Sequence, residues 1–182
     1  MAAGNPNTVL RAPGRLSINP NDLSAAYPHG GTALGVVASA FANPNFTTEP
    51  VFAEEFAEAV DVVYLGQSWV FGARLRNVQD GDVLGTMFPN TSAGGSGTKI
   101  IDHPGTVGPG TLLSSRSVIL LFTPRDVTSD ALLIYRALPL VEATARLAFS
   151  ALEELAFPVI FRAIRNTSGK SIALGKLGDL TL

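Results

Sequence analysis

The chain has 182 residues, enough for one domain and too few for two ordinary ones; 46% hydrophobic residues, 15% charged residues and a mean hydropathy of +0.28 exclude a disordered chain. Its 18 glycines and 12 prolines favour short strands joined by turns over long helices. The absence of cysteine excludes disulfides, thiolate metal sites and thiol nucleophiles, while a net charge of −2 and a pI near 5.6 lack the basic excess of a protein that grips phosphates.

Residues 1–13 are small and polar without periodicity, and read as an N-terminal arm that needs a surface outside its own domain, residues 14–182, to order it. The alternation in Arg15-Leu16-Ser17-Ile18-Asn19 predicts a half-buried strand that ends at the turn Pro20-Asn21. Gly30 to Phe41 predicts a strand entered through a tight turn. The prolines in 42–50 then predict a loop, long by hairpin standards. Glu54, Glu55 and Glu58 are helically spaced, but they run into the strand-prone Val60–Leu65, and a strand is favoured. Gly66-Gln67-Ser68 predicts a turn into Trp69–Val78, so that Val60–Leu65 and Trp69–Val78 would pair as an antiparallel hairpin.

Asp80 or Asp82 is placed to cap one short helix, Val83–Phe88, which Pro89 stops. The segment Asn90–Ser115, with Gly94-Gly95-Ser96-Gly97 and Pro104-Gly105, has the composition of a second long, flexible loop. Val118–Pro124 and Ala131–Pro139 are continuous apolar runs separated by a polar turn. Each predicts a strand buried on both faces, and two such neighbours imply a sandwich interior. Glu142–Leu155 is rich in helix formers, yet Thr144, Arg146, Ala148 and Ser150 alternate with Ala145, Leu147, Phe149 and Ala151, which predicts a strand. Phe157–Arg165 is another alternating strand, turned by Asn166–Lys170 into an apolar-alternating tail.

No catalytic constellation emerges. His29 and His103 lack partners at metal or triad spacing, and both stand beside proline in loop-like sequence, which predicts surface or turn histidines. Gly169-Lys170-Ser171 looks like the end of a phosphate loop, but the required earlier glycine is Ile164, so a hairpin turn is expected. The acidic group Glu54, Glu55, Glu58 and Asp61 lacks the spacing and glycine turn of a calcium loop and reads as a solvated face. Trp69 and Phe71 sit in an alternating strand and are expected in the core. No cofactor is expected. No apolar stretch reaches the roughly 18 residues of a membrane span, and the first six residues lack the basic start and apolar centre of a signal peptide. A soluble protein is expected, with no membrane partner, and the Asn-x-Ser/Thr matches at Asn45, Asn90 and Asn166 read as chance.

The order of segments resembles a known family. Val62–Val70 followed by Ala73–Asn77 and the short Val83–Phe88 helix resembles the strand, tight turn, strand and helix of tail tube proteins from long-tailed bacteriophages. Ser117–Pro124, Ala131–Pro139, a further strand, Phe157–Arg165 and the Asn166–Lys170 turn continue that pattern. The resemblance implies an all-β fold, a β-sandwich with one short flanking α-helix. Its inner strands would close, six subunits at a time, into a ring with a β-barrel lumen. It implies stacked homohexameric rings that conduct DNA from capsid to host, built around a tape measure protein between a baseplate and a tail terminator. Localisation would be the virion tail, after assembly in the host cytoplasm.

The two overlong loops would then be assembly loops, marked by Asn43, Pro44, Phe46 and Pro50 in the first and by Pro89, Gly94, Gly95, Gly97, Pro104 and Gly108 in or beside the second. DNA would pass without binding, because a slightly acidic subunit offers no basic stripe for counterion release. The rival readings are a terminator or baseplate-proximal ring protein and, from another class, a β-sandwich module for a receptor or carbohydrate. The last would show clustered exposed aromatics, of which one Trp and three Tyr offer few.

Overall fold

Where the chain is continuously apolar it forms the centre of the fold. A computed structural model describes residues 13–52, 59–76, 85, 88, 91–93, 99–101, 110–126, 129–140 and 157–182. These residues form β1 (Gly14–Ile18), β2 (Thr32–Phe52), β3 (Ala59–Leu75), β4 (Thr91–Ala93), β5 (Lys99–Ile101), β6 (Val118–Pro124), β7 (Ala131–Leu140), β8 (Phe157–Ala163) and β9 (Ile172–Gly175). The architecture is all-β, and every pairing is antiparallel.

The main sheet runs β6-β1-β2-β3-β8-β7-β9, and β6 also pairs with β7, so the ladder returns on itself. The far edge of β7 is shared by two partners: β8 lies along Ala137–Leu140 and β9 along Ala131–Ile134.

Strands β6 and β7 are buried on both faces, as their apolar runs predict. Leu120, Phe122, Leu132 and Ile134 join one cluster with Leu16, Val37, Phe71 and Phe161. Leu121, Ala131 and Leu133 point the other way, into a second cluster closed by Leu23, Leu177 and Leu180. A period of two along each strand sends neighbouring side chains to opposite sides, so an unbroken apolar run serves two cores at once. At the start of β1, a Cβ on Gly14 would stand 2.5 Å from the Phe122 ring and 2.8 Å from the Thr123 carbonyl, a clearance only glycine meets.

The turn between β1 and β2 is held by side chains. Tyr27 donates its hydroxyl to the Leu16 carbonyl (3.0 Å) and accepts from the Gly35 amide (3.3 Å), with the Arg15 guanidinium 5.1 Å from its ring centre. His29 is buried, 4% exposed, and not a surface residue as expected. It does lie in a turn: its positive φ of 61° is tolerated there, its Nδ1 is 2.8 Å from the Ala25 carbonyl, and its Nε2 is 3.3 Å from the Thr123 hydroxyl. A hydrogen-bonded imidazole makes this turn polar and buried together. His103 lies outside the described residues.

Two expectations are overturned. The loop expected at 42–50 is the continuation of β2, which runs unbroken to Phe52. The turn expected at Gly66-Gln67-Ser68 is absent as well, and Val60–Leu65 and Trp69–Leu75 belong to one strand, β3, whose partner is β2 and not itself. One physical reason covers both: beyond Pro44 this ribbon is largely exposed on both faces and, among the described residues, unpaired on its outer edges, so proline and polar residues are tolerated where a central strand would reject them. At Gly66 the ladder slips by one residue and the chain continues.

Part of the expected loop 90–115 is ordered too, as the small hairpin of β4 with β5 and a short 3-10 turn at Leu113–Arg116. Of the expected Val83–Phe88 helix only Gly85, helical, and Phe88, packed on the main cluster, are described. The expected strand at Glu142–Leu155, the 1–13 arm apart from Pro13, and the acidic residues Glu54, Glu55 and Glu58 lie outside the described residues. β8 follows expectation, and the Asn166–Lys170 turn is closed by Asn166 N–H to Lys170 O (2.9 Å), Gly169 N–H to Asn166 O (3.1 Å) and Lys170 N–H to Asn166 Oδ1 (2.8 Å).

Candidate assembly surface

The β2–β3 pair has two halves. Near the body, β1 covers the outer edge of β2 up to Val37 and β8 covers the outer edge of β3 from Trp69 to Leu75. Beyond these limits the two strands pair, among the described residues, only with each other, from Asn45↔Ser68 to Phe52↔Ala59. At about 3.3 Å per residue this free-standing ribbon projects roughly 25 Å. A two-stranded ribbon alone in water is marginally stable, so its length requires an explanation.

The register sorts its side chains. Residues directly opposite each other point to the same side, so Phe46, Thr48, Pro50 and Phe52 share a face with Gln67, Tyr64 and Val62. Asn45, Thr47, Glu49 and Val51 share the other with Ser68, Val63 and Asp61. The first face is apolar and open: Phe46 is 57% exposed, Phe52 61%, Val62 56% and Tyr64 57%. The rings of Phe46 and Tyr64 lie 6.5 Å apart in a tilted pair, across a diagonal of the ladder. The second face carries two carboxylates, Glu49 and Asp61.

The apolar face continues the core. Counting back along β2 by twos leads from Phe46 through Pro44 to Ala42 and Ala40, and along β3 from Gln67 to Trp69, and Ala40, Ala42 and Trp69 all pack against the main cluster. Phe71 is fully buried and Trp69 half-buried, as expected for core residues of an alternating strand. The core-facing side of the sheet therefore runs out of the body and along the arm, uncovered.

Of the assembly residues expected from sequence, Asn43, Pro44, Phe46 and Pro50 all lie exposed on β2. They are strand and not loop residues, and only the even-numbered three share the apolar face. Pro89, Gly94, Gly95, Gly97, Pro104 and Gly108 lie outside the described residues. Tyr64, Val62 and Phe52 were not singled out from sequence. The available signal was a pair of strand-prone segments, Gly30–Phe41 and Val60–Leu65, flanking a stretch whose prolines disguised it as a loop.

Among the described residues no group of three or more His, Asp or Glu could hold a metal ion, and no helix is long and apolar enough to cross a membrane. A cleft of about 570 Å³ opens at the base of the arm, between Gln67 and Trp69 of β3 and Ile172–Leu174 of β9, with Tyr135 and Lys170 beside it. Lys170 there lies 5.4 Å from the centre of the Tyr135 ring. No family model and no curated protein matches the chain.

Proposed function

We propose that the chain is a structural subunit that polymerises with copies of itself, and specifically a tail tube subunit of a long-tailed bacteriophage, forming stacked rings through which DNA passes. The observation that carries the polymerising part is the uncovered apolar face of the β2–β3 arm, continuous with the core. Full burial of an apolar side chain such as Phe46, Phe52 or Val62 contributes about 1.5–3 kcal/mol, and in a monomer that leaves each more than half exposed the larger part of it is not gained. The arm is a ribbon that a neighbour completes. The tube itself rests on the resemblance in element order, weakened because the turn at Gly66–Ser68 is absent and unaffected in Val118–Pro124, Ala131–Pro139 and the Asn166–Lys170 turn. Ring closure, the sandwich, the flanking helix and a lumen are part of this proposal, as are the tape measure, terminator and baseplate partners and the virion location.

Electron microscopy of concentrated protein tests the reading. Rings or hollow tubes are the expected outcome, with no measurable affinity for duplex DNA at physiological salt, since 13 basic residues are set against 15 acidic ones without a basic stripe. A chain that stays monomeric at every concentration removes it.

A further inference from the structure

The two long edges of the arm differ in what they invite. The outer edge of β2 carries Pro44 and Pro50, each lacking the N–H that a docking strand would use, among Asn43, Asn45 and Thr47. Proline at an exposed edge is a recognised guard against strand addition. The outer edge of β3 beyond Trp69 likewise has no strand partner among the described residues and carries no proline; its outer part, Asp61-Val62-Val63-Tyr64-Leu65, is exposed throughout, with β-branched and aromatic residues dominant. One edge is closed to pairing and the other is left open.

A second open edge lies on β9. Ser171 O accepts from Tyr135 N–H (3.1 Å), so in an antiparallel ladder Ser171 and Ala173 direct their backbone groups toward β7. Ile172 and Leu174 direct theirs away from β7, and both residues line the cleft at the base of the arm. Among the described residues this side of β9 has no strand partner. It is uncharged and proline-free, Leu174 is 52% exposed, and Lys170 stands beside it.

We infer that the open edge of β3, Asp61–Leu65, of one copy adds to the open edge of β9, Ile172–Gly175, of a second copy. The inference rests on the self-assembly reading above and names its contact. Two β3 edges meeting each other would make an isologous dimer and stop, whereas joining unlike edges is heterologous and continues into a ring or filament. Charge points the same way: β3 brings Asp61, and β9 is flanked by Lys170.

The cysteine-free chain permits a clean test. Val63→Cys and Leu174→Cys are made singly in the full chain, assembled together at equal amounts, and treated with a short bis-maleimide, with assembly followed separately by sedimentation. A product of twice the chain mass that appears only in the mixture is expected. In parallel, Val63→Lys should lower the assembled fraction at least tenfold with an unchanged circular dichroism spectrum, and Thr47→Lys, on the guarded strand, should leave it unchanged. Assembly without the mixed product overturns this contact and leaves the self-assembly reading standing. Val63→Cys linking to itself as efficiently as to Leu174→Cys overturns it in favour of the isologous pair. Absence of assembly in the unsubstituted protein overturns both.

Discussion

The pair β6–β7 and the arm formed by β2 and β3 are both antiparallel ribbons, yet one is buried on both faces and the other, beyond Pro44, is largely exposed on both. Leu121, Leu133 and Ile134 are 0% exposed, while Phe46 and Tyr64, side chains at least as apolar in bulk, are more than half exposed. The contrast shows that apolar content alone does not place a strand in the core. What places β6 and β7 there is having partners on both edges and packing on both faces. Among the described residues the arm has only its own second strand.

The largest expected effect tests the buried side of this contrast. Leu121→Asp or Ile134→Asp should unfold the domain, because an unpaired buried carboxylate costs several kcal/mol against a total stability of about 5–15 kcal/mol. Cooperative urea unfolding by both variants near the wild-type midpoint would show that these strands are not the centre of the fold.

A smaller effect sharpens it at the turn that caps β1. Burial pushes the Tyr27 phenol above its ordinary 10.0, with the Gly35 amide and the Arg15 charge partly opposing the shift. A pKa raised by folding stabilises the native state below the unfolded value and loses that contribution as pH rises through the folded value. Stability should therefore fall above about pH 10 in the wild type. Tyr27→Phe should remove this part of the alkaline loss, while costing about 0.5–1.5 kcal/mol at neutral pH for the lost bond to Leu16. Denaturant midpoints measured from pH 8 to 11 decide it, and identical profiles for the two proteins would refute the assignment.

The smallest effect on stability is expected from the arm, together with a large effect on association. Phe46→Ser combined with Tyr64→Ser should shift the unfolding free energy of the monomer by no more than about 0.5 kcal/mol, as exposed positions do. The same pair should abolish assembly at concentrations where the wild type polymerises. A destabilisation comparable to that of Leu121→Asp would mean that the arm's apolar face is covered within its own chain.

What could be read from sequence follows the same divide. The runs at Val118–Pro124 and Ala131–Pro139 matched their strands to within a residue because continuous burial writes itself into continuous apolar sequence. β1 and β8 were legible from alternation. The arm was not, since a strand exposed on both faces has no burial pattern to display, and Pro44, Pro50 and Gly66 mimic the punctuation of loops. For His29 the turn was legible and the burial was not, because its neighbours Pro28 and Gly30 mark a turn but say nothing of whether that turn is covered. Of the candidate site, Phe46 was identified and its partner Tyr64 was not, because their proximity depends on a register that only the paired strands set.

That register contains three supernumerary residues: Ala38 on β2, and Leu65 and Val60 on β3, each facing one residue too few on the opposite strand. An extra residue in one strand bends the ribbon and tightens its right-handed twist. In a closed ring built by joining unlike edges, the heading of the arm relative to the body fixes the angle between consecutive copies, and that angle fixes how many copies complete the circle. Deleting Ala38 would leave Val37 opposite Leu75 and Ser39 opposite Arg74 with no residue between them, straightening the root of the arm without altering a single contact at its far end. Were copies to close into such a ring, its circumference would be written into a residue that need touch no neighbour.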